Sequence, residues 1–440
     1  MPPEPEPAVD AGAGHTSLVA LALLGPVVGA AAGTVGAIFR LSLGQADRMR
    51  DALITAAHSY KLAGFAVVLV VCGTATALAA WLVRRYSPHA SGSGIPHVEA
   101  VLNGTLKPVS ISLVPVKFIG GVLAIGSGLA LGREGPSVQM GASIANSIGL
   151  MFRRDWADCR VLLAAGAGAG LATAFNAPMA GAVFVLEELV RQFEIRIAIV
   201  ALGASATAIA VSRSILGDLP DFQVGALAYA GAEIRPLYLI LGAVAGLVAI
   251  AYNRVLLGTM AAVDRLSSWP VELRAGSIGA AVGTLAWFAP DLVGGGDTIT
   301  QRTLAGAETL AAIPAAFLLR FGLGAVSYAA RTPGGLFAPM LVLGAQLGLF
   351  LGIICGLVFP ESHIQPEGFA IVGMAALFTG VVRAPLTGLV LVTEMTASVT
   401  MLLPMLGACF VAMLLPTLLR DPPIYDSLSE AHRDPTSSRS

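Results

Sequence analysis

Charge is what this sequence has least of. Asp, Glu, Lys and Arg together make up 12% of its 440 residues, while 56% are hydrophobic. A soluble globular domain carries about 25% charged residues, so composition argues against a soluble fold, and the mean hydropathy of +0.79 agrees. Cysteine is scarce too: Cys72, Cys159, Cys355 and Cys409 show no CxxC spacing and read as small apolar packing residues, with no metal site. Neither GxxxxGK[ST] nor HExxH occurs, which removes the usual sequence support for ATP-driven transport and zinc proteolysis. A net charge of −1 gives no footprint for nucleic acid. The opening stretch MPPEPEPAVDAGAGHTS lacks a basic segment ahead of an apolar one, so it does not read as a cleaved signal. Residues 1–16 are expected to form a disordered tail.

In place of charge there are long uncharged runs: Leu18–Ile38, Leu62–Val83, Val161–Leu186, Leu237–Tyr252, Phe321–Ala330, Met340–Val358 and Met401–Leu419. Several reach the roughly 20 residues a helix needs to cross a bilayer. The expected fold class is an all-α polytopic membrane protein. Its 51 glycines suit close approach of membrane helices, so GAGAGLA and GAVAGLV read as packing faces and not as nucleotide loops. Arg84 and Arg85, after the second long run, mark a cytoplasmic end under the positive-inside rule. That places the N-terminus inside if two spans precede them.

The chain repeats itself. APMAGAVFVLEE (Ala177–Glu188) matches APLTGLVLVTEM (Ala384–Met395) at an offset of 207. GREGPSVQMGA (Gly132–Ala142) matches GLFAPMLVLGA (Gly335–Ala345) at an offset of 203, which sets Glu134 opposite Phe337. GSGIP (Gly92–Pro96) falls near the offset position of GGGDT (Gly294–Thr298). Two membrane halves are expected, 17–215 and 231–420, with a linker over 216–230 around GDLPDFQ and a short tail over 421–440. Repeated halves in a membrane protein are typical of transporters, whose substrate site lies where the repeats meet.

Each shared motif is a Gly/Pro break followed by an apolar helical run. Glycine lets the backbone bend, and proline in the first turn opens a helix. The first amides of such a helix lack internal partners and carry the positive end of its dipole. Several converging ends make an anion site without a full positive charge. The plainer reading, kinks and packing points, suits any one motif better than all of them together.

Gly92, Gly94, Ile95 and Pro96 in GSGIP, Gly132, Arg133, Gly135 and Pro136 in GREGP, and PGGLFAP (Pro333–Pro339) resemble the signature segments of the CLC chloride channel and transporter family. AFNAPMAGAVFVLEE stands between the second and third, and the resemblance runs from about residue 20 to Tyr425. It implies the CLC fold, with two inverted-topology repeats of tilted and broken helices, and a homodimer in which each subunit has its own anion pathway. It further implies that Ser93 and Tyr425 coordinate chloride through their hydroxyls, and Leu336 and Phe337 through backbone amides. Glu134 resembles the family's gating glutamate and Glu188 its internal proton-transfer glutamate. The prokaryotic-type H+/Cl− exchanger branch is the one implied, in an inner (plasma) membrane with both termini cytoplasmic. Nucleotide-binding CBS domains are not expected, nor is any cofactor; chloride and protons are the cargo.

Physical chemistry supports these roles independently. A carboxylate is an anion, so ionised Glu134 can fill a site built from helix N-termini, and protonation releases it. Desolvation opposes the charge on either acid, while helix ends near Glu134 favour it. Arg133 reads first as scaffold. Glu187 aligns with Glu394, which suggests a shared role, either capping or pairing with Arg191 or Arg383; both stay open. His97 reads as a polar residue near the cytoplasmic mouth, with a pH sensor as the sharper alternative.

The expected function is chloride/proton antiport. A passive chloride channel of the same fold is the alternative, favoured had position 188 been apolar. An intramembrane enzyme has little support, because His58, His89, His97 and His363 lie near span ends without ligand spacing.

Overall fold

The structure, a computed structural model, describes residues 11–108, 110–228, 231 and 233–433. The first half contains α1 (Ala11–His58), α2 (Lys61–Tyr86), α3 (Ile95–Leu102), α4 (Leu113–Gly126), α5 (Glu134–Met151), α6 (Trp156–Phe175), α7 (Pro178–Phe184) and α8 (Ile195–Leu216). A π-helical turn, Val185–Leu189, continues α7. The second half contains α9 (Arg235–Asp264), α10 (Val271–Phe288), α11 (Asp297–Leu304), α12 (Ile313–Ala329), α13 (Phe337–Val358), α14 (Pro366–Val382), α15 (Pro385–Thr396) and α16 (Leu402–Leu418). A last helix, α17 (Ile424–Arg433), follows. Among the described residues, 6 helices are long and apolar enough to span a membrane, and the chain is a multi-pass integral membrane protein.

Two boundaries differ from the sequence reading. α1 already begins at Ala11, inside the tail expected over 1–16; residues 1–10 lie outside the described residues. The stretch from 421, expected as a short tail that brings Tyr425 to the anion site, contains α17, whose Ile424, Tyr425 and Leu428 are buried. An amphipathic helix that docks its apolar stripe is ordered by packing, which composition alone underrates. Residues 434–440 lie outside the described residues.

α1–α8 and α9–α16 correspond one to one in order and in neighbours: α5 packs on α6 as α13 does on α14, and α1 on α8 as α9 on α16. Close packing follows the glycines. A Cβ at Gly141 or Gly166 would strike the other's carbonyl, and Gly344 and Gly373 stand in the same relation in the second half. The short helices α3, α7, α11 and α15 run 8, 7, 8 and 12 residues, too short to cross a bilayer at 1.5 Å per residue. Gly94 and Gly296, at φ +84° and +102°, turn the chain into α3 and α11, a left-handed conformation that suits glycine.

Counterparts also meet across the middle, α2 against α10 and α7 against α15. Gly132 and Gly335, matching positions of the repeat, pair antiparallel: Gly132 N donates to Gly335 O at 2.9 Å and Gly335 N to Gly132 O at 2.7 Å. Matching segments therefore run in opposite senses where they touch, which fits an inverted repeat.

Candidate functional site

The helix breaks converge because their backbones are hydrogen-bonded to one another. Gly92 N donates to Thr332 O and Gly334 N to Gly92 O, both at 3.1 Å. With the Gly132–Gly335 pair, this ties together the entries to α3, α5 and α13. Ile95 and Pro96 form the buried first turn of α3, and Pro136 lies in the buried first turn of α5. A Cβ on Gly135 would lie 2.5 Å from Ser93 Oγ and 2.6 Å from Ser93 O, so only glycine lets α5 approach Ser93.

Glu134 sits at the meeting point, fully buried. Its Oε1 accepts a hydrogen bond from Phe337 N at 2.6 Å, and its own amide and that of Ala338 also reach the carboxylate. The residue opposite Phe337 in the repeat thus touches Phe337 and occupies the amide-rich entrance of α13, where an anion is favoured. A Cβ on Gly132 or Gly335 would overlap this carboxylate. Arg133 is turned away. It donates to Ala174 O at 2.8 Å, Asp297 at 2.6 Å and Asp221 at 3.1 Å, and Asp221 also holds Arg40 at 2.7 Å. The segment between the halves is therefore pinned down by Asp221.

Ser93 and Tyr425 come from opposite ends of the chain to the same place. Both hydroxyls are buried, and Ser93 lies near enough to act on the Tyr425 hydroxyl as a side-chain hydrogen-bond partner. Leaving a buried donor unmet costs about 1–3 kcal/mol, and two hydroxyls this close to one another suit an accepting anion. The Phe337 ring lies 6.0 Å from that of Tyr425 and is walled by Phe175, Phe184 and Phe378. Leu336, fully buried, stands at the entry to α13. A vestibule of about 510 Å³ reaches Ser93, Gly94, His97 and Tyr328. Another, of about 480 Å³, reaches Gly132, Arg133, Asp297 and Ala338. Their linings share no residue: Ser93 belongs to the first, and Glu134 to neither.

Glu188 lies apart, in the π-helical turn, 3% exposed. The Arg191 guanidinium is 3.6 Å from it, 3.2 Å from Glu99 and 2.5 Å from Asp426. Glu187 turns elsewhere and caps α15, accepting from Leu386 N at 2.9 Å and Thr387 N at 2.6 Å. Its counterpart Glu394 caps α7, accepting from Met179 N at 3.1 Å and Ala180 N at 2.8 Å. Of the two roles left open for this pair, capping is the one observed, and Arg191 joins Glu99, Glu188 and Asp426 instead. His97 lines the first vestibule, its ring 4.8 Å from that of His89.

Sequence reasoning missed Glu99, Asp426, Tyr328, Asp221, Lys117 and Arg320. Glu99 carried a signal, as the only acid in the apolar helix IPHVEAVL. Tyr328, whose OH accepts from Ser93 N at 3.3 Å, carried none.

Comparison with known proteins follows the same lines. The family model described as voltage gated chloride channel matches residues 75–416. A protein of Salmonella arizonae named H(+)/Cl(−) exchange transporter ClcA is 37% identical over 421 residues, covering 93% of this chain and 88% of its own. A similarly named protein of Citrobacter koseri is 35% identical over 419 residues, with the same coverage. A crystal structure of a slow cyanobacterial Cl−/H+ antiporter superposes with TM-score 0.90 at 31% identity, covering 95% of this chain and 99% of that one. The fold, the paired helix breaks and these likenesses agree: the chain belongs to the voltage gated chloride channel family, the CLC channels and transporters.

Proposed function

We propose that this protein is a secondary active antiporter that exchanges chloride for protons across the membrane, and that Glu134 gates the exchange. The observation that carries this reading is the Glu134 carboxylate seated on the Phe337 amide at the entrance of α13. That position is an anion site, so carboxylate and chloride compete for it. Protonation neutralises Glu134, weakens its charge-assisted hydrogen bond and yields the site to chloride. Ser93 and Tyr425 supply hydroxyl donors to the next chloride inward, and the Leu336 and Phe337 amides line the passage. Glu188 passes the proton between solvent and Glu134 by a route separate from the first vestibule. No cofactor enters this cycle.

The names of the relatives support exchange over passive conduction, and so does the acid at position 188, where a channel-type residue would be apolar. The reading extends to a homodimer with one pathway per subunit, set in an inner membrane with both termini cytoplasmic. α17, Glu188 and the first vestibule then face the cytoplasm.

The test is reconstitution into liposomes under a chloride gradient with external pH recorded. Uphill proton movement driven by chloride is the expected result. Chloride flux with no proton movement would make the protein a channel.

A further inference from the structure

We propose that Arg191 is a positioning residue for the proton-carrying carboxyl of Glu188, and that Asp426 ties its position to Tyr425. The inference deepens the antiport reading and rests on it. One guanidinium serves three carboxylates from three separate elements: Glu99 of α3, Glu188 of the π-helical turn and Asp426 of α17. Its contact with Glu188 is the longest of the three, at 3.6 Å, and that with Asp426 the shortest, at 2.5 Å. Arg191 Nε also donates to the Glu188 carbonyl at 3.3 Å, so the side chain folds back over the turn it follows.

The place of Arg191 is equally telling. It lies in the irregular segment between the π-helical turn and α8, at φ +54°, a left-handed conformation uncommon for a residue with a Cβ. Its side chain is 42% exposed, whereas that of Glu188 is 4% exposed. Arg191 is therefore the solvent-facing member and Glu188 the buried one. The charged and titratable groups around the cluster are Glu99, Glu187, Glu188, Arg191, Asp426 and, beyond Asp426, Tyr425.

These positions give a simple cycle. The ionised Glu188 carboxylate is held toward Arg191. Uptake of a solvent proton forms the O–H bond and removes the charge that held it, while the guanidinium stays with Asp426 and Glu99, the two carboxylates nearest it. The neutral carboxyl turns inward, gives up the same proton along the path to Glu134, and returns ionised to Arg191. Asp426 adjoins Tyr425 in α17, so the carboxylate that anchors the guanidinium is the chain neighbour of the chloride-binding hydroxyl.

The test compares R191Q, R191K and D426N in liposomes, with chloride and proton fluxes read separately and chloride affinity read by calorimetry. R191Q is expected to raise the chloride-to-proton flux ratio about fivefold, the size of a half-exposed ion pair, with chloride affinity within about twofold. R191K restores most of the coupling. D426N, which removes the guanidinium's closest anchor, also raises the ratio, and R191Q/D426N is no worse than R191Q, because the two residues act as one unit. A wild-type ratio in R191Q overturns the proposal, and so does an equal fall of both fluxes, which marks a merely structural role. If R191Q does not purify as a monodisperse protein, D426N decides, and a wild-type ratio there overturns it. E188Q in parallel separates the two readings: undiminished proton flux in E188Q sinks the internal relay itself and this proposal with it. Blocked protons in E188Q beside an unchanged R191Q sink only the role of Arg191.

Discussion

Lys117 and Arg320 stand at matching positions of the two halves, and each is a buried basic side chain turned onto the glycine loop of its own half. Lys117 Nζ donates to Ala90 O at 3.0 Å and to Gly92 O at 2.8 Å. Arg320 donates to Gly294 O at 2.8 Å and to Leu292 O and Gly295 O, both at 3.2 Å. Each side chain thereby occupies carbonyl oxygens in the loop that leads into α3 or α11. The two loops differ in one respect: that of Lys117 leads to Ser93, and that of Arg320 leads to Asp297.

This difference makes a paired prediction. Lys117→Met leaves Ala90 O without its donor, at a cost of about 1–3 kcal/mol, takes from Gly92 O one of its two donors, and loosens the loop that places Ser93. Chloride affinity is expected to fall about tenfold, and thermal unfolding in detergent to come earlier. Arg320→Met is expected to lower stability similarly while leaving chloride affinity within about twofold. Equal losses of affinity in both variants would point to long-range charge as the cause, and not to the placement of Ser93.

The crossed caps give a second prediction. Glu187 satisfies two amides at the start of α15 and Glu394 two at the start of α7. Each carboxylate also meets the positive end of the helix dipole. Glu187→Gln and Glu394→Gln should each destabilise by about 1–2 kcal/mol, read as earlier thermal unfolding. Chloride and proton fluxes in the folded fraction should stay coupled. Loss of coupling in Glu187→Gln alone would give that residue a place in the proton route.

Gly135 supplies the third. Its missing side chain is the space that Ser93 fills, so Gly135→Ala forces the Ser93 loop outward or α5 away from it. Overpacking of this kind costs about 1–3 kcal/mol, and chloride affinity should fall by roughly tenfold or more. A variant that binds chloride normally in calorimetry would show that the loop can yield freely, and that Ser93 is not held by this contact.

How much of this could be read in the residues depends on the range of the interaction. The repeat set Glu134 opposite Phe337 and Glu187 opposite Glu394, and the structure brings the first pair into contact and gives the second pair one task. Motifs such as GSGIP and GREGP revealed helix entries because glycine and proline act on their own backbone. The Arg191 cluster could not be read, since Glu99, Glu188 and Asp426 are distant in sequence and meet only through packing of α3, the π-helical turn and α17. Asp221 looked like linker for the same reason: its partners Arg40 and Arg133 belong to α1 and the entry to α5. α4 and α12, at 14 and 17 residues, fall short of a clear spanning signal.

The contact between Glu134 and the Phe337 amide separates charge from reach, and three substitutions test it. Glu134→Gln keeps the length and an acceptor oxygen but loses the charge. Its hydrogen bond to Phe337 N is then about half as strong, and chloride should displace it, with apparent affinity rising about tenfold. Glu134→Ala removes the competitor altogether, so chloride flux should persist without proton movement. Glu134→Asp keeps the charge but is shorter by one methylene. An oxygen 2.6 Å from its donor cannot retreat by more than about 1 Å and remain bonded. The aspartate should therefore bind protons but hold the site poorly, giving chloride flux with weak coupling. Full coupling in Glu134→Asp, measured as an unchanged chloride-to-proton ratio, would show that charge near the entrance suffices. The seat on the Phe337 amide would then not be what makes chloride and proton exclude one another.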